Sequence, residues 1–287
     1  MAVVVITGTS SGVGLAAALH FARRGDQVFA TMRNLDRSGR LREATTAENL
    51  PITLLRLDVD DEVSVQQAIG EVLDRGSHID VLVNNAGIGV GGPLEQADEA
   101  LLRAGFETHV FGPLRTIRAV LPSMRARQQG VIVNVTSVFG RYTFPGLGFY
   151  HATKYALEAL SEVLALEVAP FDIRVVIVEP GFTETAMADV GRSVFAQKPP
   201  APYDATFYWF NRLGQDPLAV AQVIEHAITT PEPKLRYLVG PDAQVVGMAR
   251  ARMSDEEWMD LIRAMGQEGF LREFIARSEG VVAEPRS

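Results

Sequence analysis

The sequence predicts an α/β fold: a single-domain, Rossmann-like, doubly wound parallel sheet of about seven strands with helices on both faces. Three features lead to this fold class. Short β-rich runs alternate with helical patterns along the 287 residues. These runs are largely apolar, as strands covered by helices on both sides are. A glycine-rich turn follows the first run directly and opens the first helix.

Strands are expected where apolar and β-branched residues form short runs bounded by polar or glycine-containing turns. In chain order these runs are AVVVIT at 2–7, QVFATM at 27–32, ITLLRL at 52–57, DVLVN at 80–84, VIVNVT at 131–136, IRVVIV at 173–178 and RYLV at 236–239.

Helices are expected where apolar residues recur three or four positions apart. Pro113 lies inside the third of them and is expected to bend it. In chain order the expected helices are 12–24, 63–73, 99–127, 150–168 and 217–229.

Residues 186–215 interrupt this alternation with KPPAP followed by YDATFYWF. Prolines and aromatic residues between core elements predict a flap that closes over a substrate. A charged helical tail is expected at about 254–277. Because the chain shows no repeat and no linker, residues 1–287 are expected to form one domain.

The composition excludes several classes of function. A net charge of −8 argues against a nucleic-acid partner. The absence of cysteine excludes disulfides, thiolate catalysis and cysteine-ligated metals, and no metal site is predicted. No apolar run is long enough to cross a membrane, and the N-terminal MAVVVITG is typical of a strand rather than a signal peptide. A cytoplasmic location is therefore expected.

The glycine-rich turn TGTSSGVG occupies residues 7–14. Its Gly8, Gly12 and Gly14 would allow a tight turn, close approach of a pyrophosphate and close packing of helix on strand. The N-terminus of the following helix would offer N–H groups to phosphate. The turn therefore predicts dinucleotide binding.

Two further segments follow strands, at the edge where open α/β sheets bind ligands. LDV, which contains Asp58, ends the third expected strand, and NNAG at 84–87 ends the fourth. From the residues alone, Asp58 is equally well explained as a helix N-cap, and NNAG as a plain turn.

Tyr150 and Lys154 are four positions apart on one predicted helix, so they share a face. Such a pair is either a surface contact or a tyrosine whose pKa is lowered by a nearby cation. Ser137 follows the fifth expected strand and Tyr150 opens the next helix, so both should lie at the carboxyl edge of the sheet. A carbonyl held between them could accept hydrogen bonds from both.

These motifs, in this order, resemble the short-chain dehydrogenase/reductase family. The resemblance covers residues 3 to about 185, with a compatible sheet to about 240. LRYLVGPDA at 235–243 resembles the hydroxysteroid and retinol dehydrogenase branch. The matching motifs are TGTSSGVG, LDV, NNAG, Ser137, YHATK at 150–154 and EPGFTET at 179–185.

The resemblance implies a role for each matching residue. Tyr150 would be the general acid/base, and Lys154 would bind the nicotinamide ribose and lower the tyrosine pKa. Ser137 would bind the substrate oxygen, and two copies of the chain would pair through the helices at 99–127 and 150–168. The residues implied or predicted to contact the cofactor are Gly8, Ser10, Ser11, Gly12, Val13, Gly14, Arg33, Asp58, Val59, Asn85, Ala86, Gly87, Tyr150, Lys154, Pro180, Gly181, Thr183 and Thr185.

His109 departs from the family pattern, which usually has asparagine here within N-V-x-G; this chain has HVFG. The imidazole is either part of the proton relay or a side chain that only packs there. We expect a tolerated substitution, because the family uses the backbone carbonyl at this position to hold a water.

Arg33 predicts a preference for NADP(H), with NAD(H) also possible. The second expected strand ends VFATMRN, without the acidic residue that binds both ribose hydroxyls of NAD. A guanidinium there offers bidentate donors to a 2′-phosphate. The alternative is an exposed arginine in a chain that uses arginine freely.

The sequence thus predicts an oxidoreductase that transfers hydride between NADP(H) and a bulky apolar alcohol or ketone. The alternatives are a non-catalytic dinucleotide-binding regulator and an isomerase or dehydratase on the same fold. A wall of large apolar residues suggests the substrate class, although some of them are equally explained as core. The candidate wall residues are Phe139, Phe144, Phe149, Phe182, Met187, Phe195, Tyr203, Phe207 and Trp209.

Overall fold

The computed structural model describes residues 1–186 and 214–264, and within them seven strands form one parallel sheet. The strands are β1 Val3–Thr7, β2 Gln27–Met32, β3 Ile52–Arg56, β4 Val81–Asn84, β5 Gly130–Val135, β6 Ile173–Pro180 and β7 Arg236–Val239. Their order is β3-β2-β1-β4-β5-β6-β7, so the chain reverses its winding between β1 and β4. The predicted fold class is confirmed, and ligands of such sheets bind outside that reversal point.

Helices cover both faces of the sheet. They are α1 Gly12–Arg23, α2 Gly39–Glu48, α3 Glu62–Gly76, α4 Glu99–Phe106, α5 Gly112–Arg127, α6 Gly148–Val168, α7 Pro217–Thr229, α8 Pro241–Arg250 and α9 Asp255–Arg263. One core layer packs α1 and α7 against the sheet, and the other packs α3, α5 and α6 against its opposite face. A third cluster joins α8 and α9 to the segment after β5. No helix in the described ranges is long and apolar enough to cross a membrane.

The structure corrects several expected elements. The helix expected at 99–127 is interrupted by a π-helical segment, Glu107–Phe111, that ends before Pro113. Helices α2 and α8 were not expected. Helix α2 is polar apart from the buried Leu41, so its sequence lacks the apolar periodicity that predicts a helix. Of the expected flap and tail, residues 187–213 and 265–277 lie outside the described residues. That residues 1–287 form one domain stays a prediction.

Candidate active site

The glycine-rich turn lies between β1 and α1, as expected. Gly8 and Gly12 have positive φ angles of 74° and 57°, a conformation that favours glycine. A Cβ at Gly12 would lie 2.9 Å from the Cγ2 of Thr185, so this turn and the segment after β6 meet closely. The first turn of α1 carries no acidic residue, and Ser11 does not cap it through its side chain. The N–H groups of this turn are therefore suited to an anion.

The NNAG segment after β4 braces this turn from the side. The Thr7 hydroxyl accepts the N–H groups of Asn85 and Ala86, both at 3.0 Å. The Asn85 amide in turn donates to the carbonyls of Thr7 and Gly8, at 3.0 and 3.2 Å. A Cβ at Gly14 would lie 2.3 Å from the Gly8 oxygen. These contacts fit a backbone cradle for a pyrophosphate, the role predicted for the turn.

Arg33 and two carboxylates lie near the ends of β2 and β3. Arg33 is exposed directly after β2. Asp58 binds locally: its N–H donates to Ser64 Oγ and its Oδ1 accepts the N–H of Asp60. Burial raises the pKa of Asp60, which the Arg33 charge opposes. Within the described residues, Asp60 Oδ1 is buried without a hydrogen-bond partner. The sequence analysis missed this carboxylate, which interacts electrostatically with Arg33.

Ser137, Tyr150 and Lys154 converge where β5 and β6 end and α6 begins. Ser137 Oγ accepts the N–H of Phe139 at 3.2 Å and donates to the carbonyl of Pro180 at 3.3 Å. Lys154 is buried, and its Nζ donates to the carbonyl of Val135 at 3.1 Å. The same Nζ lies 5.6 Å from the centroid of the Tyr150 ring. The structure therefore brings the three predicted catalytic side chains together.

Burial is the largest effect on the pKa of the tyrosine in the chain alone. Burial raises the pKa of Tyr150 to about 12, and its hydrogen bond with Ser137 opposes that rise. Burial lowers the pKa of Lys154 to about 8, opposed by the carboxylate of Glu158. In the chain alone, desolvation of the phenol is therefore the largest effect on this pKa. The expected lowering by Lys154 together with the oxidised nicotinamide stays a prediction.

His109 is buried, and both of its ring nitrogens are bonded. Nε2 accepts the N–H of Ile88 at 3.0 Å, so Nδ1 carries the proton and donates to Thr153 Oγ1 at 2.9 Å. Thr153 donates onward to the carbonyl of Tyr150 at 2.8 Å. Burial, with a contribution from the Lys154 charge, lowers the pKa of His109 to about 3.

His109 therefore remains neutral and holds the start of α6 against the segment after β4. This geometry favours the packing alternative over a proton relay. The residue lies in the π-helical segment, a distortion that is frequent at functional sites.

The segment after β6, which carries Pro180, Gly181, Thr183 and Thr185, is braced by two residues that the sequence analysis missed. Asp242 Oδ2 accepts the N–H of Phe182 at 2.7 Å, and a Cβ at Gly181 would lie 2.2 Å from Asp242 Oδ1. Gln215 Nε2 donates to the hydroxyl of Thr183 at 3.3 Å and to the carbonyl of Val239 at 2.9 Å. The motif LRYLVGPDA thus has a physical function: it brings Asp242 to this segment.

Two buried carboxylates lie near Lys154: Glu158, one turn further along α6, and Glu179 on β6. Glu158 accepts hydrogen bonds from Thr136 at 2.5 Å and Arg236 at 3.0 Å. Glu179 is fully buried, and neither of its oxygens has a hydrogen-bond partner among the residues that the structure describes. Its Oε1 lies 3.6 Å from Arg236 and 3.9 Å from Arg141. Burial raises the pKa of Glu179 to about 7, with a further contribution from Glu158.

Three of the predicted wall residues form a cluster beside Tyr150. The Phe139 ring lies 5.5 Å from that of Phe144, 5.8 Å from that of Phe182 and 6.2 Å from that of Tyr150. Phe149 is half-buried at the start of α6. The remaining candidates, which lie outside the described residues, are Met187, Phe195, Tyr203, Phe207 and Trp209.

Comparison with known proteins supplies the family. The family model described as short chain dehydrogenase matches residues 2–193. The chain belongs to the short-chain dehydrogenase family. It is 38% identical to retinol dehydrogenase 8 of Bos taurus over 81% of this chain and 80% of that protein. It is 35% identical to 17-beta-hydroxysteroid dehydrogenase type 1 of Homo sapiens over 93% and 86%. These relatives confirm the predicted hydroxysteroid and retinol dehydrogenase branch.

Solved structures of short-chain dehydrogenases share the fold of this chain. One from Burkholderia phymatum in complex with NAD is 25% identical, covers 91% of this chain and 95% of its own, and has a TM-score of 0.77. A variant of actinorhodin polyketide ketoreductase with NADPH is 27% identical, covers 84% and 97%, and has a TM-score of 0.76. This short-chain dehydrogenase is therefore an oxidoreductase family member whose structural neighbours bind nicotinamide dinucleotides.

Proposed function

We propose that this short-chain dehydrogenase transfers hydride between NADP(H) and a bulky apolar alcohol or ketone, with Tyr150 as general acid/base. The observation that carries the proposal is the convergence of Ser137, Tyr150 and Lys154 at the carboxyl edge of the sheet, beside the glycine-rich turn. A regulator that only binds a dinucleotide would not need this arrangement of a hydroxyl, a phenol and a buried ammonium.

Each of these side chains has a task in the proposed reaction. The dinucleotide, when bound, supplies or accepts the hydride. Ser137 and Tyr150 donate hydrogen bonds to the carbonyl oxygen, and Tyr150 transfers its proton to that oxygen as the alcohol forms. Lys154 is held in place through Val135 and contributes a positive charge that favours the phenolate. The positive charge of an oxidised nicotinamide would act in the same direction. We therefore expect the two charges together to lower the pKa that burial raises in the chain alone.

A preference for NADP(H) is proposed from Arg33. Its guanidinium is exposed directly after β2, where the cofactor-binding edge of the sheet begins. Asp60 competes for this charge, since Arg33 is one of the groups that lower the pKa of that carboxyl. A bidentate contact between Arg33 and a 2′-phosphate is nevertheless a stronger type of interaction than the electrostatic interaction of Arg33 with Asp60.

The preference is tested by kcat/KM for both cofactors in the wild type and in Arg33→Asp. Charge-assisted hydrogen bonds predict a wild-type preference for NADPH of about tenfold to hundredfold, turned towards NADH in the variant. Equal use of both cofactors by the wild type, or an unchanged ratio in Arg33→Asp, would refute this role. Tight cofactor binding without oxidation by any of a panel of ketones would favour the regulator.

The bulky apolar substrate is proposed from the aromatic surface beside Tyr150. Phe139, Phe144 and Phe182 lie within ring-contact distance of one another or of the phenol. The names of the two relatives, retinol dehydrogenase and hydroxysteroid dehydrogenase, refer to alcohols of this kind.

A homodimer is proposed through α6 and the π-helical segment before α5. Large apolar side chains on these elements are solvent-exposed in the single chain: Phe111, Tyr155, Val163 and Leu166. Two-fold pairing is the commonest assembly of soluble enzymes, and it would bury them. A cytoplasmic location is also proposed, on the absence of cysteine from the sequence.

A further inference from the structure

His151 directly follows Tyr150, and the proposed chemistry gives it no task. It is buried, and both of its ring nitrogens bind backbone groups of the preceding loop. Nε2 accepts the N–H of Phe144 at 3.0 Å, so Nδ1 carries the proton and donates to the carbonyl of Phe139 at 3.0 Å. Burial lowers the pKa of His151 to about 4, so the ring is neutral at physiological pH.

The two residues that His151 binds form the aromatic surface beside Tyr150. The imidazole meets the Phe139 ring edge-on at 4.9 Å and stacks on the Phe144 ring at 6.5 Å with an interplanar angle of 28°. Phe139 in turn contacts the rings of Tyr150 and Phe182. One side chain therefore fixes the backbone and the rings of this surface relative to the phenol.

The arrangement resembles that of His109, whose ring also lies beside Tyr150. Each imidazole accepts a backbone N–H at Nε2 and donates from Nδ1. His109 fixes the segment after β4, and His151 fixes the loop between β5 and α6. A side chain that merely filled space would not need an acceptor directed at the Phe144 N–H.

We infer that His151 is a positioning residue for substrate recognition, which holds Phe139 and Phe144 in place as the wall that an apolar substrate contacts beside Tyr150. The recognition part of this inference rests on the proposed function. Because His151 holds the aromatic wall and takes no part in proton transfer, its replacement raises KM more than it lowers kcat.

The test compares two replacements of His151 with a matched control. His151→Leu keeps apolar volume and removes both hydrogen bonds, whereas His151→Gln retains an acceptor that can reach Phe144. The exposed His226 on α7, replaced by leucine, is the control. Three quantities are measured: hydrogen exchange of the Phe144 amide, kcat and KM with an active ketone, and NADPH affinity.

For His151→Leu we expect faster exchange at Phe144 and a higher KM, each by about tenfold to hundredfold, the scale of a lost buried acceptor. Both kcat and NADPH affinity should change much less. In His151→Gln, both the exchange rate at Phe144 and KM should return most of the way to the wild-type values. His226→Leu should match the wild type.

Unchanged exchange and KM in His151→Leu would overturn the inference, as would a glutamine variant no better than leucine. A rise in KM accompanied by equally large decreases in kcat and NADPH affinity would also overturn it, since these changes together indicate general loss of structure. If the wild type reduces no ketone, the proposed function fails separately, and exchange at Phe144 alone decides whether His151 holds the wall. If His151→Leu does not fold, ¹⁵N spectra of the wild-type ring decide: protonation at Nε2 would refute the geometry.

Discussion

Replacing His109 with asparagine should remove about 2 kcal/mol of acid-induced destabilisation. The pKa of His109 falls from 6.5 to about 3 on folding. Between these values the unfolded chain binds the extra proton, so stability falls as pH falls through this window and is unaffected above it. A pH of about 5 lies roughly 1.5 units below the pKa of histidine in the unfolded chain, and each unit corresponds to about 1.4 kcal/mol of stability.

The assay is urea unfolding of wild type and His109→Asn at about pH 7.5 and about pH 5. The raised pKa values of Asp60, Glu179 and Asp242 act in the opposite direction, because the folded state then binds more protons. These groups and His151 are common to both proteins and cancel in the difference. Asparagine should keep activity within about tenfold, well short of the loss of a general acid.

Equal pH dependence of stability in the two proteins would refute the neutral, buried imidazole. A larger loss of activity, together with disappearance of a rate transition near the histidine pKa, would show that His109 carries protons.

Two further predictions concern the cofactor turn and the assembly. Gly14→Ala should weaken NADPH binding severely, because its Cβ would meet the Gly8 carbonyl. The control is Gly70→Ala in α3, where an added Cβ has no described atom within 4 Å. This variant should bind NADPH normally and gain about 0.5–1 kcal/mol of stability. Calorimetric titration of both variants checks this, and normal binding by Gly14→Ala would contradict it. Light scattering should show a dimer for the wild type and a monomer for Leu166→Glu. The control Val63→Glu, which changes another exposed apolar residue on α3, should remain dimeric. A wild-type monomer would refute the proposed pairing.

The sheet and the meeting of Ser137, Tyr150 and Lys154 were predictable because local patterns encode them. Apolar runs such as VVVIT of β1 are buried along their whole length, and parallel strands deliver their carboxyl ends to one edge. Ser137, Tyr150 and Lys154 therefore had to meet once the strand order was known.

The supporting residues were not predictable, because they act through contacts between distant parts of the chain. Asp242 reaches Phe182 across 60 positions, and no periodicity indicates that pair. The neutral states of His109 and His151 depend on backbone N–H groups that lie against each ring, so only the folded chain reveals their tautomers. The pattern shows the lysine near Tyr150 but not the desolvation of the phenol, which raises the tyrosine pKa in the chain alone.

Turnover of Tyr150→Phe tests most directly whether this phenol is the acid/base. The change removes one hydroxyl and keeps a ring that can contact His109 and Phe139, now 5.7 and 6.2 Å from it. Folding and NADPH binding should therefore persist, while kcat falls at least about hundredfold. Near-normal turnover, measured by loss of NADPH absorbance with a ketone that the wild type reduces, would contradict the assignment.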